Sequence, residues 1–330
     1  MAAPALQRVP PARRRGLLVE PTFGWGKHAP RNPTSREVWT EWVDAHNFVK
    51  HPTRRLPAIF MAFHLTTFGI FAYFIASNFS ALNVAIVFII SNVINTIFGT
   101  VWYHRYCTHR AYTFRNMLWP RLFLWLNPVC FREESYVIPH HVHHARSDKP
   151  GDPYGPHLGW LGSYLATPNL NTEINRSDYG RLARSLRHIG LPTNTFDEFR
   201  KTGSIETTAH WAARSIFATG LWCSIAYMIA GNTGVLAWMS SVFLYTFLVR
   251  DFNYRGHGGP FLKATEGHAL NQASFGFLGG EWHANHHARP GLANTGFSWW
   301  QIDVAYAVIR LMHFCGIVVH INTKANTARG

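Results

Sequence analysis

Acidic side chains are scarce in this 330-residue chain. Seventeen Asp and Glu stand against thirty-one Lys and Arg, a net charge of +14. Charged residues of both signs reach only 15%, against roughly 25% in an average soluble protein, which excludes a disordered or highly charged fibrous chain. Cysteine is also sparse. Cys107, Cys130, Cys223 and Cys315 lie far apart with no C-x-x-C pair, so a disulfide scaffold, a zinc ribbon and a thiolate-bound iron–sulfur centre find no support. No G-x-G-x-x-G opens a strand–helix unit, no internal repeat is visible and no low-complexity linker divides the chain. The segment from Met1 to about Gly16 is rich in Pro, Ala and Arg but has no apolar stretch. It reads as a short basic arm rather than a cleavable signal peptide.

The chain does have long uncharged runs. Leu56–Ala76 and Ala81–Trp102 are each about 21 residues, enough to cross a hydrocarbon core of about 30 Å as a helix. They are separated by the polar turn Ser77-Asn78-Phe79-Ser80. A third run, Trp211–Val249, is broken at Gly231-Asn232-Thr233-Gly234 and reads as two further spans, although Arg214 falls inside it. The expected architecture is an all-α membrane protein with four transmembrane helices in two hairpins and a cytoplasmic helical cap. Its divisions are a basic amino-terminal arm (1–55), a first hairpin (56–102), a central cytoplasmic segment (103–210), a second hairpin (211–250) and a closing cytoplasmic segment (251–330).

Loop charge sets the expected orientation. Neither hairpin tip holds a Lys or Arg, whereas residues 1–55 carry ten, residues 104–210 thirteen and the tail after Arg250 six. Cytoplasmic loops carry the positive excess, so both termini and the central segment are expected on the cytoplasmic side, of a bacterial inner membrane or of the endoplasmic reticulum in a eukaryote. The basic excess then faces anionic membrane lipids. No basic module interleaved with aromatics stands out, which argues against a nucleic-acid partner. Two further apolar stretches suit the cytoplasmic side: Met117–Phe131, a half-buried or interfacial helix, and Trp299–Ile321, a helix packed on the cap.

Histidine is the abundant residue, twenty in all, and it is clustered. His104 and His109 form H-x-x-x-x-H directly after the second span. His140, His143 and His144 form H-x-x-H-H, and His283, His286 and His287 repeat that spacing. Positions i, i+3 and i+4 of a helix lie within about 100° of one another, so each triplet is expected to turn one way as half of a metal site. The His104/His109 spacing fits a regular helix less well and suggests a helix end. Imidazoles do not suit calcium or magnesium, but by themselves they leave zinc, copper, nickel and iron open.

The three boxes, their order and the hairpin pattern resemble the integral-membrane fatty acid desaturases, in particular the stearoyl-CoA (delta-9) branch, from about Leu56 to Gly316. Asp152-Pro153 followed by His157-Leu158-Gly159-Trp160-Leu161 resembles that family's stretch after the second box. Asn253-x-x-x-His257 resembles its N-x-x-x-H element, and Gly280-Glu281-Trp282-His283 its entry to the third box. The resemblance implies a site for two iron ions held by His104, His109, His140, His143, His144, His257, His283, His286 and His287, with Asn253 acting through a bound water. His141 stands where the family has another residue and reads as a bystander.

The implied reaction is an oxygen-dependent desaturation that places a cis double bond in a long saturated acyl chain. Taking hydrogen from an unactivated methylene is beyond side-chain acids and bases, and needs a cofactor that activates O2. Asp148, Asp152, Glu133, Glu134 and Glu281 are close enough in sequence to orient the imidazole rings. The aromatic surplus suits the walls of an acyl tunnel. Nothing in the chain collects electrons, so a separate donor with its reductase is implied: ferredoxin, rubredoxin or cytochrome b5. Box spacing alone leaves open a hydroxylase or an alkene-forming decarboxylase on the same scaffold. A membrane metal transporter would instead place its ligands inside the spans, where His64 is the only histidine.

Overall fold

The structure is a computed structural model and describes residues 16–21, 32–149, 151–259, 270–271, 280 and 282–323. The basic arm from Met1 to about Gly16, apart from Gly16 itself, lies outside the described residues, as does Glu281. The first helix, α1 (Ser35–Ala45), starts at a capping box: the Thr34 side chain accepts from the Glu37 backbone N–H, and the Glu37 carboxylate accepts from that of Thr34. These are two of the donors that every helix start leaves unmatched.

Helix α2 (Arg55–Asn78) follows, and its 24 residues give about 36 Å. Ser80 then caps α3 (Ala81–Ile94) by accepting from Asn83 N, and Asn83 Nδ2 donates back to Asn78 O. This closes the turn between two apolar helices. From Asn95 to Thr108 the helix continues with π winding. Beyond it lie the strand β1 (Tyr112–Phe114), α4 (Leu118–Leu126), α5 (Glu133–Arg146), α6 (Gly159–Leu165), α7 (Arg176–Ser185) and α8 (Phe196–Thr202). The long α9 (Thr208–Arg255), the short α10 (His283–Ala288), α11 (Val304–Phe314) and the strand β2 (Val318–Ile321) complete the order.

Among the described residues, three helical stretches are long and apolar enough to cross a membrane: Pro52–Asn78, Ala81–Thr108 and Thr208–Arg255. The chain is thus a mainly helical membrane protein. The third stretch has 48 residues and is not straight, because Ala230 and Gly231 leave helical geometry. Gly231 sits at φ 58°, ψ −145°, which a side chain would forbid and glycine permits. Beyond this break the chain folds back on itself. Trp222 stacks on Trp238 at 4.9 Å between ring centroids, and Cys223 Sγ lies 3.7 Å from Met239 Sδ.

Two apolar clusters organise the packing. One, with Phe60, Ile94, Phe98, Val242 and Tyr245, joins α2, α3 and the second leg of α9. The other, with Trp102, Tyr106, Leu124, Val137 and Ile309, joins the π-wound segment to α4, α5 and α11. The stretch Trp299–Ile321 is only partly helical, since its end forms β2, paired antiparallel with β1 (Tyr112↔Ile321, Thr113↔His320). The β-branched Val318, Val319 and Ile321 favour that extended state, so the expected all-α architecture holds a small sheet.

Candidate metal centre

Each histidine box owes its place to a different local device. In box 1 the π winding matters. A π-helix pairs residues five apart, and His109 N–H donates to His104 O at 3.1 Å. The H-x-x-x-x-H spacing, awkward on an α-helix, therefore brings His104 and His109 edge to face, with ring centroids 4.9 Å apart. Box 2 lies in the second half of α5, and box 3 opens α10. His257 lies just beyond the end of α9, in a turn where Gly258 N donates to Arg255 O.

The nine histidines gather in two adjoining groups: His104, His109, His140, His144 and His286 in one, and His143, His257, His283 and His287 in the other. Within each group the ring nitrogens lie within 4.8 Å of one another. Each H-x-x-H-H box is thus split and does not turn all one way. Its i, i+4 pair enters one group and its i+3 histidine the other. Helix geometry explains this, since i+4 lies about 40° to one side of i and i+3 about 60° to the other. A fan of about 100° straddles two neighbouring points. The groups touch where His144 stacks on His287, with centroids 4.4 Å apart.

The donor set fits metal ions. His286 Nε2 lies 2.9 Å from both His104 Nε2 and His144 Nε2. His283 Nε2 lies 2.9 Å from His257 Nε2 and 3.2 Å from His287 Nε2. Nitrogens bound at right angles to one ion by bonds of about 2.1 Å would stand about 3.0 Å apart. His109 Nε2 is buried with no hydrogen-bond partner, an orphan that calls for a ligand. Burial drives His140, His143, His283 and His286 well below the usual histidine pKa, and takes His144 and His287 to about 2. These rings are neutral at pH 7 with lone pairs free to coordinate.

Carboxylates fix two of the rings. Asp152 Oδ1 accepts from His143 Nδ1 at 2.7 Å and also receives the Tyr154 N–H, and Asp148 accepts from His257 Nδ1 at 3.1 Å. Each contact turns the opposite nitrogen inward. Burial pushes Asp152 up to about 7. Asp148 sits at φ 58°, a left-handed position that aspartate tolerates. His157 Nε2 lies 3.1 Å from Asp152 O, which ties the H-x-G-W-L stretch to the same turn.

Glu133 and Glu134 are close to box 2 in sequence but do not reach it. They occupy the first turn of α5, about 10 Å along the axis from His140. Glu133 meets Arg214, Trp102 Nε1 and Asn127, and Glu134 meets Arg132, Ser204 and the Ile205 and Glu206 N–H groups. Arg214, out of place in an apolar span by sequence, is buried between Glu133 and Glu206. His141 is exposed and belongs to neither group. His64 is buried in α2 against Thr246 and Tyr164, away from both groups. The sequence reading missed the buried pair of Arg105 and Asp303, in which Arg105 Nη2 donates to both carboxylate oxygens at 2.8 and 2.7 Å. Asp303 also caps α11 through Tyr306 N, so the pair ties box 1 to the segment after box 3. A charged residue inside a buried histidine box was the signal for it.

A cavity of about 190 Å³ runs from the histidines between α2, the π-wound segment and α9. His104, His143, His257 and His283 line one part, and Leu56, Phe60, Val129 and Val249 supply apolar wall. Asn253 also lines it, one turn before His257. Arg54 and Arg250 bring positive charge to the lining.

The comparisons with known proteins point to one family. The family model described as Fatty acid desaturase matches residues 79–315. The chain is 24% identical to the probable lipid desaturase ADS3.2 of Arabidopsis thaliana over 71% of its own length and 62% of that protein's. It is 21% identical to the sn-1 stearoyl-lipid 9-desaturase of Anabaena variabilis, over 79% of this chain and 91% of that one. With the delta-9 acyl-lipid desaturase 1 of Arabidopsis thaliana it shares 23% identity over 70% of its length and 72% of the relative's. A match over well over half of its residues, on a scaffold that gathers all three histidine boxes, makes this chain a member of the fatty acid desaturase family, an enzyme of lipid metabolism.

Proposed function

We propose that the chain is an oxygen-dependent fatty acyl desaturase that places a cis double bond in a long saturated acyl chain, using a non-haem centre of two iron ions. The observation that carries the reading is the meeting of nine imidazoles, in two adjoining groups, along a partly apolar cavity. Five and four nitrogens are too many for one ion. His104, His109, His140, His144 and His286 would hold one iron, and His143, His257, His283 and His287 the other.

When bound, the irons supply the activation of O2 that no side chain can provide. The balance is plain: two vicinal C–H bonds and one O2, with two electrons and two protons from outside, give one C=C bond and two waters. The protein's part is placement. Asp152 and Asp148 fix the rings of His143 and His257, and the apolar wall holds a methylene run against the histidines while excluding water. Asn253 positions a water beside the second group through its amide. The relatives are named for stearoyl-lipid, acyl-lipid and acyl-CoA substrates, which favours a stearoyl-type acyl chain carried on a lipid or on CoA.

The three apolar stretches with the break at Gly231 are best read as four crossings in two hairpins. The lysine- and arginine-rich segments, both termini and the histidine groups then lie on the cytoplasmic side. The divisions at 1–55, 56–102, 103–210, 211–250 and 251–330 follow from that reading. A separate one-electron donor with its reductase (ferredoxin, rubredoxin or cytochrome b5) completes the system.

The test is expression in a host whose lipids lack the product, with double bonds located by mass spectrometry. A new cis-monounsaturated acyl chain is expected. A hydroxylated or shortened product would overturn desaturation in favour of the other chemistries of this scaffold.

A further inference from the structure

The segment after box 3 exposes aromatic surface that packing does not explain. Trp299 is 96% exposed and Trp300 56% exposed, with Phe297 and Ile302 bare beside them. Contiguous apolar surface of this kind marks an interaction site. It also has a route inward. The Trp300 ring meets the Trp282 ring edge to face at 5.4 Å between centroids. Trp282 Nε1 donates to Ile302 O at 2.8 Å and so holds that ring in place. The next residue is His283, a member of the second histidine group, and Trp282 itself lines the cavity. Two rings and one peptide bond therefore connect solvent to the site.

The exposed charge of this segment has one sign. Between Trp282 and Thr323 the charged residues are Arg289, Asp303 and Arg310. Asp303 is buried against Arg105, whereas both arginines are exposed. The Arg289 guanidinium lies over the Phe297 ring, 5.3 Å from its centroid. Exposed tryptophans bordered by arginine, with no exposed carboxylate among these residues, complement an acidic protein surface.

We propose that electrons enter here: a small acidic one-electron carrier protein docks on Trp299, Trp300 and Arg289, and the Trp300 and Trp282 rings couple it to the site at His283. This rests on the oxygen-dependent desaturase reading. Each docking oxidises one carrier by one electron. Two dockings supply the two electrons that, with two protons from solvent, reduce one O2 to two waters as the acyl C–C bond becomes C=C. Tryptophans also gather where proteins meet lipid headgroups, and that is the competing outcome. Positive charge would suit anionic lipid as well, and it is the ring contact leading inward that favours the carrier.

The test uses the iron-loaded full chain in lipid nanodiscs, with a reduced, acidic plant-type [2Fe–2S] ferredoxin as probe. Trp299→Ser combined with Arg289→Glu should raise the dissociation constant about tenfold or more and flatten its salt dependence. Trp282→Leu and Trp300→Leu should bind ferredoxin as before yet slow its oxidation about tenfold, followed by stopped-flow absorbance, with Trp282→Phe less affected. Iron content and reduction by dithionite should be unchanged in the Trp299→Ser, Arg289→Glu and Trp300→Leu variants. Unaltered binding and oxidation across the series would overturn the proposal. So would ferredoxin binding that stays intact in the Trp299→Ser, Arg289→Glu variant while quenching of tryptophan fluorescence by brominated nanodisc lipid is lost. An unsubstituted chain that holds no iron would instead overturn the desaturase reading on which the proposal rests.

Discussion

Replacing Arg214 by methionine should damage both the fold and the metal centre, although Arg214 touches no histidine of either group. Its Nη2 lies 2.5 Å from Glu133 Oε2 and 2.8 Å from Glu206 Oε2, and its Nε lies 2.8 Å from Glu206 Oε1. All three side chains are sealed from solvent. Burial raises the pKa of Glu133, against the pull of Arg214, while hydrogen bonds from Arg214 and His210 outweigh burial and lower that of Glu206. With the guanidinium gone, two carboxylates face each other away from water. Removing one partner of a buried ionic cluster costs about 3–5 kcal/mol. At about 2–4 °C per kcal/mol, that lowers the melting temperature on the order of 10 °C. Glu133 begins α5, which carries box 2, so bound metal should fall with stability. The assay is thermal unfolding in detergent together with metal content, for Arg214→Met and for the triple variant Arg214→Met, Glu133→Gln, Glu206→Gln. The triple variant should recover most of the loss, because well-packed neutral groups in place of a buried ionic cluster are often no worse. A single variant melting within about 2 °C of the parent, less than 1 kcal/mol by the same conversion, would refute the reasoning.

Three further outcomes are expected. Asn253→Ala should keep most of its metal yet lose about ten- to a hundredfold in activity per bound iron, the range for a group acting beside the ligands; unchanged turnover per iron would reduce Asn253 to a structural role at the end of α9. Gly99 lines the cavity, and a Cβ there would come within 2.5 Å of Asn95 Oδ1 and 3.0 Å of Tyr245 Cε2, so Gly99→Ala should shift the products toward shorter acyl chains, and an unchanged product profile counts against an acyl chain passing this point. Cysteines placed at Ser77 and Asn232 should react only with reagent outside the membrane and one at Lys201 only from the cytoplasm; labelling of Lys201 from outside reverses the topology.

The apolar runs at Leu56–Ala76 and Ala81–Trp102 were legible because transfer into a low-dielectric setting depends on composition, which a sequence displays directly. The turn at Gly231 was legible for a similar reason, since glycine and asparagine break an apolar helix. The histidine boxes were legible as sets, but their division between two groups was not. Spacing fixes the angle between ring directions, whereas the targets of those rings depend on where the other helices stand. The π winding of Asn95–Thr108 shows the same limit: an i, i+5 pair hints at it, but packing of the buried segment against α5 and α11 selects it. Glu133 and Glu134 misled because sequence proximity ignores direction. Seven residues before His140 is two turns down the axis, where Arg214 and the Ser204–Glu206 backbone wait. Asp148 and Asp152 lie after the helix, in a loop free to curl back on the rings, and that is why those two reach them.

The central claim is that the two histidine groups hold two iron ions. Iron and zinc content per chain, measured by mass spectrometry on protein purified without added metal and supported by Mössbauer spectroscopy, tests it most directly. Close to two irons per chain is expected, falling in the His143→Ala and His286→Ala variants, one drawn from each group. A fully active preparation holding one zinc and no iron would contradict the account.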